Sequence, residues 1–205
     1  ISVFGGAFEA DGAQEIFSGD HSSNTTSTKV TKDTKDEGDS AEGAFALGSV
    51  FAEYSATDQL SLGVSYVPHS SSSETAENIQ NINPQNRVNA QATNTVKVSF
   101  EDLVTVYALA NINENFYIKA GVLQVELITE ENLATGGAYD NDTLEGFTVG
   151  LGYNMDFADG MFVRAEVAHM EIDGTTLTNK NDTTKSVSAD GINGIGAGLS
   201  VGKSF

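Results

Sequence analysis

Apolar and polar residues alternate along several stretches of this chain, most clearly near its end. One set of alternate residues there comprises Ile195, Ala197, Leu199, Val201, Lys203 and Phe205. The interleaved set, from Gly194 to Ser204, contains only glycine and serine. A period of two predicts a β-strand whose two faces lie in different environments. We expect the bulky face to point outward and the small face inward, which is typical of a strand with lipid outside and a narrow lumen inside.

Similar strand-like segments recur along the whole sequence. They lie near 1–13, 41–55, 60–70, 94–110, 116–128, 143–155, 161–172 and 190–205. Each is long enough for the roughly 9–11 residues that a tilted strand needs to cross a membrane. The pattern therefore predicts an all-β fold in one domain, residues 1–205: a transmembrane antiparallel up-and-down β-barrel of about eight strands.

The predicted connections alternate between short and long. The short ones lie at 56–59, 111–115 and 156–160, and the long ones at about 14–40, 71–93, 129–142 and 173–189. Membrane barrels show this rhythm because their periplasmic turns are short and their extracellular loops are long. We therefore expect both termini to be periplasmic. The polar segment 14–40 is expected to be mobile unless a partner orders it.

Two segments depart from regular alternation. Near 94–110, one face would hold Val96, Val98, Phe100, Val104, Val106 and Ala108 together with Asp102, so a β-bulge is predicted at Asp102. Near 116–128, one face begins with Phe116, Ile118, Ala120 and Val122, whereas Leu123, Val125 and Leu127 lie on the other. A phase change, or a strand that protrudes from the membrane, would explain the second pattern.

Aromatic residues lie close to the predicted short connections. Those beside a short turn or at the end of the chain are Tyr54, Phe116, Tyr117, Tyr153, Phe157, Phe162 and Phe205. Tyrosine and phenylalanine at strand ends form girdles at the two membrane interfaces. The sequence predicts that these residues form one such ring. A sparser ring of Tyr66, Phe100 and Tyr139 would lie at the opposite interface.

Composition narrows the classes of function. The chain has 29 acidic and 10 basic residues, a net charge of -19 and no cysteine. The acidic excess argues against a nucleic-acid partner, because phosphate binding requires clusters of Lys and Arg. The lack of cysteine excludes disulfides, thiolate metal sites and a cysteine nucleophile. Because the chain begins at Ile1 without a secretion signal, we interpret it as a mature, processed form.

The whole chain resembles the small eight-stranded outer-membrane barrels of the OmpA/OmpX type. Its C-terminal run Ala197, Leu199, Val201 and Phe205 is similar to the signal that the barrel-insertion machinery reads. Lys203 departs from that signal, but a lysine near a strand end can extend its ammonium group to the interface. The resemblance implies a Gram-negative outer-membrane location at the cell surface. It also implies outer-membrane lipid, lipopolysaccharide and the insertion machinery as partners. Assembly into a homo-oligomer or a surface lattice is a further alternative.

Inward-facing charges provide the main candidate site. An eight-stranded barrel is just wide enough for side chains to fill it. Glu53, Tyr107, Lys119, Arg164 and Glu166 are therefore predicted to form a charge network in the lumen. Buried charges must be paired, because a lone one costs several kcal/mol. The network predicts a plug of ion pairs, and the alternative is a polar path in which these charges form a gate.

Evidence for catalytic or metal chemistry is weaker. No motif places a nucleophile beside His69 or His169, so the sequence does not predict an enzyme. Asp140, Asp142 and Glu145 resemble a fragment of a calcium loop but lack the glycine and spacing of an EF-hand. They are weak metal candidates. Binding of divalent cations at the acidic loops is kept as an alternative, and no other cofactor is predicted.

These patterns together predict an integral outer-membrane barrel that anchors acidic, surface-exposed loops in a structural or surface-interaction role. Two alternatives remain open at this level. One is a narrow porin-like channel for small solutes or ions. The other is a secreted all-β adhesin that never enters a membrane.

Overall fold

The computed structural model describes residues 1–10, 13–17, 41–72, 76–82, 90–133, 137–181, 183, 185–189 and 191–205. The strands in these ranges are β1 (Ser2–Ala10), β2 (Ala13–Phe17), β3 (Ala41–Ser55), β4 (Leu60–Val67), β5 (Ser71–Ser72), β6 (Ala76–Ile82), β7 (Ala90–Asn111), β8 (Phe116–Leu133), β9 (Asp142–Asp156), β10 (Met161–Ile172), β11 (Thr175–Thr178), β12 (Lys185–Ala189) and β13 (Ile192–Lys203). A short 3-10 helix, Ala158–Gly160, joins β9 to β10. Among the described residues, no helix has the length and apolar character needed to cross a membrane.

Eight strands close into one antiparallel barrel. Their order is β1, β3, β4, β7, β8, β9, β10 and β13, and β13 pairs with β1 to complete the ring. Following paired Cα atoms once around the barrel from Glu53 leads to Gly43 on the same strand, a stagger of ten residues. Such a stagger tilts the strands by roughly 40° from the barrel axis. The predicted all-β, eight-stranded antiparallel barrel is confirmed.

One end of the barrel carries the connections 56–59, 112–115 and 157–160. Backbone hydrogen bonds tie neighbouring segments together there, including Asn111 N to Gln59 O and Ser204 N to Gly160 O. We call this the turn end and the opposite end the far end. Both ends of the chain lie at the turn end, because Val201 N donates to Ile1 O.

The strands extend further toward the far end than the sequence pattern predicted. β7 begins at Ala90 and β8 ends at Leu133, so parts of the predicted loops 71–93 and 129–142 are strand. β5 and β6 lie in the first of these segments and pair with β7. The polar residues of these extensions gave no alternation, because a strand in water does not need an apolar outer face. By contrast, β4 stops at Val67, because Pro68 has no backbone N–H.

A second, smaller sheet forms from residues that were predicted to be loop. It has the order β11–β12–β2 and is antiparallel throughout. The expectation that the whole segment 14–40 is mobile is therefore wrong for residues 14–17, which belong to β2. Residues 18–40, which carry the rest of that expectation, lie outside the described residues.

A bulge in β7 exchanges the inward and outward faces of the strand. The register of β7 against β8 shifts between Glu101 and Val104, and Asp102 has a φ of 51°. The bulge predicted at Asp102 is confirmed. Because it adds one residue, Phe100 packs inside whereas Val106 points outward and is 57% exposed. The prediction that 94–110 presents one apolar face, and that Phe100 belongs to an interfacial ring, is therefore wrong.

The outside of the barrel is apolar from the turn end to about two thirds of the strand length and polar beyond it. In β9 the outward residues from Phe147 to Met155 are apolar and exposed, whereas the next outward residue is Glu145. The adjacent β8 switches at the same level, because Val122 pairs with Phe147 and Gln124 pairs with Glu145. This outer band is roughly 20–25 Å high for tilted strands, close to the band of about 25 Å in membrane barrels.

The interior of the barrel changes from polar to apolar at the level where the outer face changes from apolar to polar. A cluster of Val125, Leu127 and Leu144, against which Val98, Phe100, Leu103 and Ile172 pack, fills the barrel beyond the outer band; we call it the far core. Leu123, Val125 and Leu127 are only 4, 3 and 7% exposed. β8 thus alternates without a phase change and simply continues beyond the outer band. In this part the barrel has the polarity of a water-soluble β-protein.

Candidate functional site

Inward aromatic rings shape the lumen near the turn end by lying against glycines of neighbouring strands. Tyr107 of β7 pairs with Gly63 of β4 and with Gly121 of β8. Tyr117 of β8 pairs with Gly152 of β9. A Cβ at Gly63 or Gly152 would overlap the opposing ring. The glycines therefore provide the space that lets both phenol groups lie along the lumen wall and reach its charged residues.

Glu53 and Arg164 form the first ion pair of the site. Arg164 Nη1 donates to Glu53 Oε1 and Oε2 at 2.6 and 2.7 Å. β3 and β10 are not neighbours, because β1 and β13 lie between them, so this pair bridges the lumen. Tyr107 Oη donates to Glu53 Oε1 at 2.8 Å, and Arg164 Nε donates to Asn154 Oδ1 at 3.1 Å. The two charged side chains are 14 and 15% exposed, so their charges are largely shielded from solvent.

Lys119 and Glu166 form the second ion pair. Lys119 Nζ donates to Glu166 Oε1, and Tyr117 Oη donates to Glu166 Oε2 at 2.9 Å. Lys119 Nζ lies 5.1 Å from the ring centroid of Tyr107, and the Arg164 guanidinium lies 5.4 Å from that of Tyr117. The two pairs therefore interlock through the tyrosines. Two carboxylates face two cations, so the group carries no net charge.

The structure brings together all the residues that the sequence placed in the lumen: Glu53, Tyr107, Lys119, Arg164 and Glu166. We call this set, with Tyr117, the ion network. Tyr117 and Phe162 had been predicted to lie in an interfacial aromatic ring, but they are 2 and 9% exposed and point inward. Strand parity would have located them, since Tyr117 alternates in phase with Lys119 and Phe162 with Arg164.

A cavity of about 110 Å³ lies between the ion network and the far core. Its lining is mixed: hydroxyl groups such as those of Ser49 and Thr105 face it together with apolar side chains such as Leu47 and Phe51. A cavity of this size has room for several water molecules. Toward the far end it meets Leu123, which is 4% exposed and adjoins the far core. The lumen therefore has a mixed polar and apolar lining beside the ion network and is apolar beyond it.

The C-terminal residues lie on the outer face of β13. Ala197 is exposed, and Leu199 and Val201 are 62 and 42% exposed, while the alternating glycines face the lumen. Phe205 is fully exposed at the turn end, and the Lys203 ammonium lies 5.7 Å from its ring centroid. This arrangement presents the predicted insertion signal to the surroundings. Its reading by an insertion machinery stays a prediction.

The structure does not assemble the three residues that resembled a calcium loop. Asp140 pairs with Lys180, Asp142 Oδ2 accepts a hydrogen bond from Thr175 Oγ1, and Glu145 is exposed on the outer face of β9. Within the described ranges no three Asp, Glu or His side chains are grouped to hold a metal ion.

The two histidines considered as catalytic bases have other contacts. His69 Nε2 accepts a hydrogen bond from the Gly48 backbone N–H at 2.9 Å, which extends the edge of β3 beyond the end of β4. His169 lies on the outer face of β10, 3.9 Å from Glu171. Among the described residues neither ring is hydrogen-bonded to a serine hydroxyl, so no serine nucleophile and histidine base are in contact there.

Comparison with solved structures finds other bacterial membrane barrels. The outer-membrane protease OmpT of Escherichia coli is 9% identical with a TM-score of 0.36; the match covers 78% of this chain and 64% of OmpT. Ail of Yersinia pestis is 11% identical with a TM-score of 0.33, and the match covers 97% of this chain and 96% of Ail. OprG of Pseudomonas aeruginosa is 12% identical with a TM-score of 0.39, and the match covers 99% of this chain and 95% of OprG. This chain thus spans slightly less than two thirds of the length of OmpT.

The sequence comparisons give one family. No curated protein sequence matches the chain. Residues 7–202 match the family described as the outer membrane protein beta-barrel domain, which is nearly the whole barrel from β1 to β13. An apolar outer band close in height to that of membrane barrels and a closed ring of strands agree with that match. The chain is a member of the outer-membrane β-barrel family and an integral barrel protein of the bacterial outer membrane.

Proposed function

We propose that this protein is a sealed barrel that anchors acidic, β-structured surface at the outside of the cell and does not conduct solutes. The observation that carries the proposal is the reversal of polarity inside the barrel. An ion entering from the turn end would meet charges that are already paired, and beyond them an apolar far core. Removing an ion from water into such a core is strongly unfavourable.

The far end is proposed to face outward and the turn end to face the periplasm. Outer-membrane barrels carry short turns on the periplasmic side, and the connections at the turn end are short. Beyond the outer band the outward faces carry carboxylates on most strands: Glu9, Glu42, Glu126, Glu145 and Glu171. This acidic surface is suited to contacts with the cell's surroundings, and binding of divalent cations or lipopolysaccharide there stays a prediction.

The secreted adhesin and the narrow channel, the two alternatives to this proposal, differ in how well they agree with these observations. Membership of an outer-membrane family excludes the secreted adhesin. A narrow channel is less well supported than a seal, because every charge of the ion network has an opposite charge within hydrogen-bonding distance. The proposal includes no catalytic activity, since no described arrangement of residues points to one.

Planar-bilayer recording of the purified full-length chain tests the seal. We expect no discrete current steps, while a general porin inserted under the same conditions shows them. The variant Leu123→Ser/Leu127→Ser, which makes the far core polar, should be leakier than the parent if that core is the barrier. Regular current steps from the unmodified protein would exclude the sealed barrel and favour the channel.

Surface labelling tests the orientation separately. The chain has no cysteine, so single cysteines can be introduced as unique labels. A membrane-impermeant maleimide applied to intact cells should label Glu145→Cys, at the far end, and should leave Thr57→Cys, in a turn, unlabelled. Both should react after the cells are lysed. The reverse pattern in intact cells would show that the turn end faces outward.

A further inference from the structure

We propose that the outer face of the barrel binds an anionic phospholipid, with the phosphate on Lys203 and an acyl chain in an apolar groove above it. The proposal goes beyond the sealed anchor and uses its orientation only to place the lipid in the periplasmic leaflet. It arises from a residue that departs from the C-terminal pattern. Two independent observations support it: a groove in the outer band and, below it, a cation that forms no ion pair with the described residues.

The groove has a volume of about 570 Å³ and runs across β1, β13, β10 and β9 to Phe116 of β8. Small residues make it concave: Gly5, Ala197 and Ala165 lie on its floor. Larger side chains form its walls, among them Leu199 and Tyr153. Registers bring these residues side by side, since Gly5 pairs with Ala197 and Ala165 pairs with both Leu199 and Tyr153. The lining is almost entirely apolar, as an acyl chain requires.

Lys203 is the one lysine or arginine on the outer band among the described residues. Lys119 and Arg164 also lie at the level of the outer band, but their side chains point into the lumen. In the described part of the chain Lys203 is exposed and joins no ion pair, and its ammonium lies 5.7 Å from the centroid of the Phe205 ring. A cation at a membrane interface gains most when it meets a lipid phosphate.

The position of Lys203 suits a lipid that occupies the groove. It lies four residues from Leu199 on the same face of β13, a separation of roughly 13 Å along the strand toward the turn end. The headgroup would thus lie at the edge of the outer band and the chain would run up into it. The other charged side chains at the turn end, among the described residues, are acidic, such as Asp58, Glu114 and Asp159, so they would repel an anionic headgroup elsewhere.

Electron spin resonance on the full chain in phosphatidylethanolamine vesicles tests the proposal. The probes are spin-labelled phosphatidylglycerol, which is anionic, and spin-labelled phosphatidylcholine, which is not. We expect the native protein to restrict phosphatidylglycerol preferentially and Lys203→Gln to lower that preference about fivefold. Lys180→Gln, which removes a far-end lysine, should leave it unchanged. An unchanged preference in Lys203→Gln would overturn the proposal.

A larger side chain in the groove tests whether the groove holds the acyl chain. Ala165→Leu should reduce the amount of restricted lipid of both kinds, whereas Ala120→Leu, on the outer face of β8, should not. Heat-modifiable migration on a detergent gel confirms that each variant is folded. If Ala165→Leu instead lowers the sedimentation mass of the protein in detergent, the groove holds a second copy of the chain and the lipid proposal is wrong. Because bilayer conductance does not depend on this site, a failure here leaves the sealed barrel untouched.

Discussion

Tyr117 and Gly152 are direct partners across β8 and β9, and the tyrosine ring occupies the space where a side chain on Gly152 would lie. That contact directs Tyr117 Oη to Glu166, which it meets at 2.9 Å. The absence of one side chain on β9 therefore brings a hydrogen-bond donor of β8 to a carboxylate of β10. A glycine here is a requirement of the ion network and not only of the barrel wall.

Replacing Gly152 by alanine should disturb the lumen. The new methyl group would force the Tyr117 ring away from Glu166, and overpacking of this kind costs about 1–3 kcal/mol. Urea unfolding in lipid vesicles measures the loss in unfolding free energy. Gly48→Ala is the matched control, because a Cβ there would meet its nearest described neighbour, His69 Nε2, at an ordinary 3.8 Å. Equal stability of the two variants would contradict the requirement for glycine.

Breaking the pair between Glu53 and Arg164 should cost more than removing both charges. In Arg164→Met the Glu53 carboxylate keeps only the Tyr107 hydroxyl, and an uncompensated buried charge costs about 3 kcal/mol. Glu53→Gln/Arg164→Met removes the charge imbalance and should recover most of that loss. The double-mutant cycle by urea unfolding gives the coupling energy. Additive losses would show that the two side chains do not act as a pair.

Reversing one charge beyond the outer band should stabilise the barrel. Glu9 of β1 and Glu42 of β3 are direct cross-strand partners, and like charges in that position repel. Glu42→Lys should raise the unfolding free energy by about 0.2–1 kcal/mol at low salt, with a smaller gain at high salt because the interaction is screened. Glu114→Lys, in a turn without such a partner strand, serves as the control. A gain that is insensitive to salt would point to a cause other than charge.

Weakening the far core should loosen the far end alone. Leu144 is 6% exposed and packs with Val125 and Leu127, so Leu144→Ala leaves a cavity that costs about 2–5 kcal/mol. Hydrogen exchange should accelerate at the far ends of β8 and β9 and stay slow near Tyr117. The outward substitution Val149→Ala creates no internal cavity and should change little. Uniformly faster exchange along both strands would argue against a separate core.

The recognisable parts of the sequence are those that lie in the apolar band. A strand with lipid outside and a polar lumen inside must alternate, so Leu60 to Tyr66 and Phe147 to Tyr153 could be assigned from the pattern alone. Beyond the band this constraint ends. Residues such as Glu130 and Asn132 belong to β8, yet their surroundings are polar on one face and partly polar on the other, so they had been predicted to be loop.

The candidate site was predictable as a set of residues but not as an arrangement. Alternation showed that Arg164 and Glu166 point inward, and the cost of burying charge required partners for them. Alternation alone did not show which partner each takes. That depends on the stagger of ten residues around the ring, which brings Glu53 of β3 opposite Arg164 of β10.

The sequence by itself determined the fold class, the eight barrel strands, the bulge at Asp102 and the inward charges, because each follows from local periodicity in a two-sided environment. Only the tertiary structure decided that Glu53 meets Arg164 across the lumen, that Lys119 meets Glu166, and that an apolar core closes the barrel beyond these pairs. These features depend on closure of the ring. Closure fixes the register between strands distant in sequence, and no local pattern contains that information.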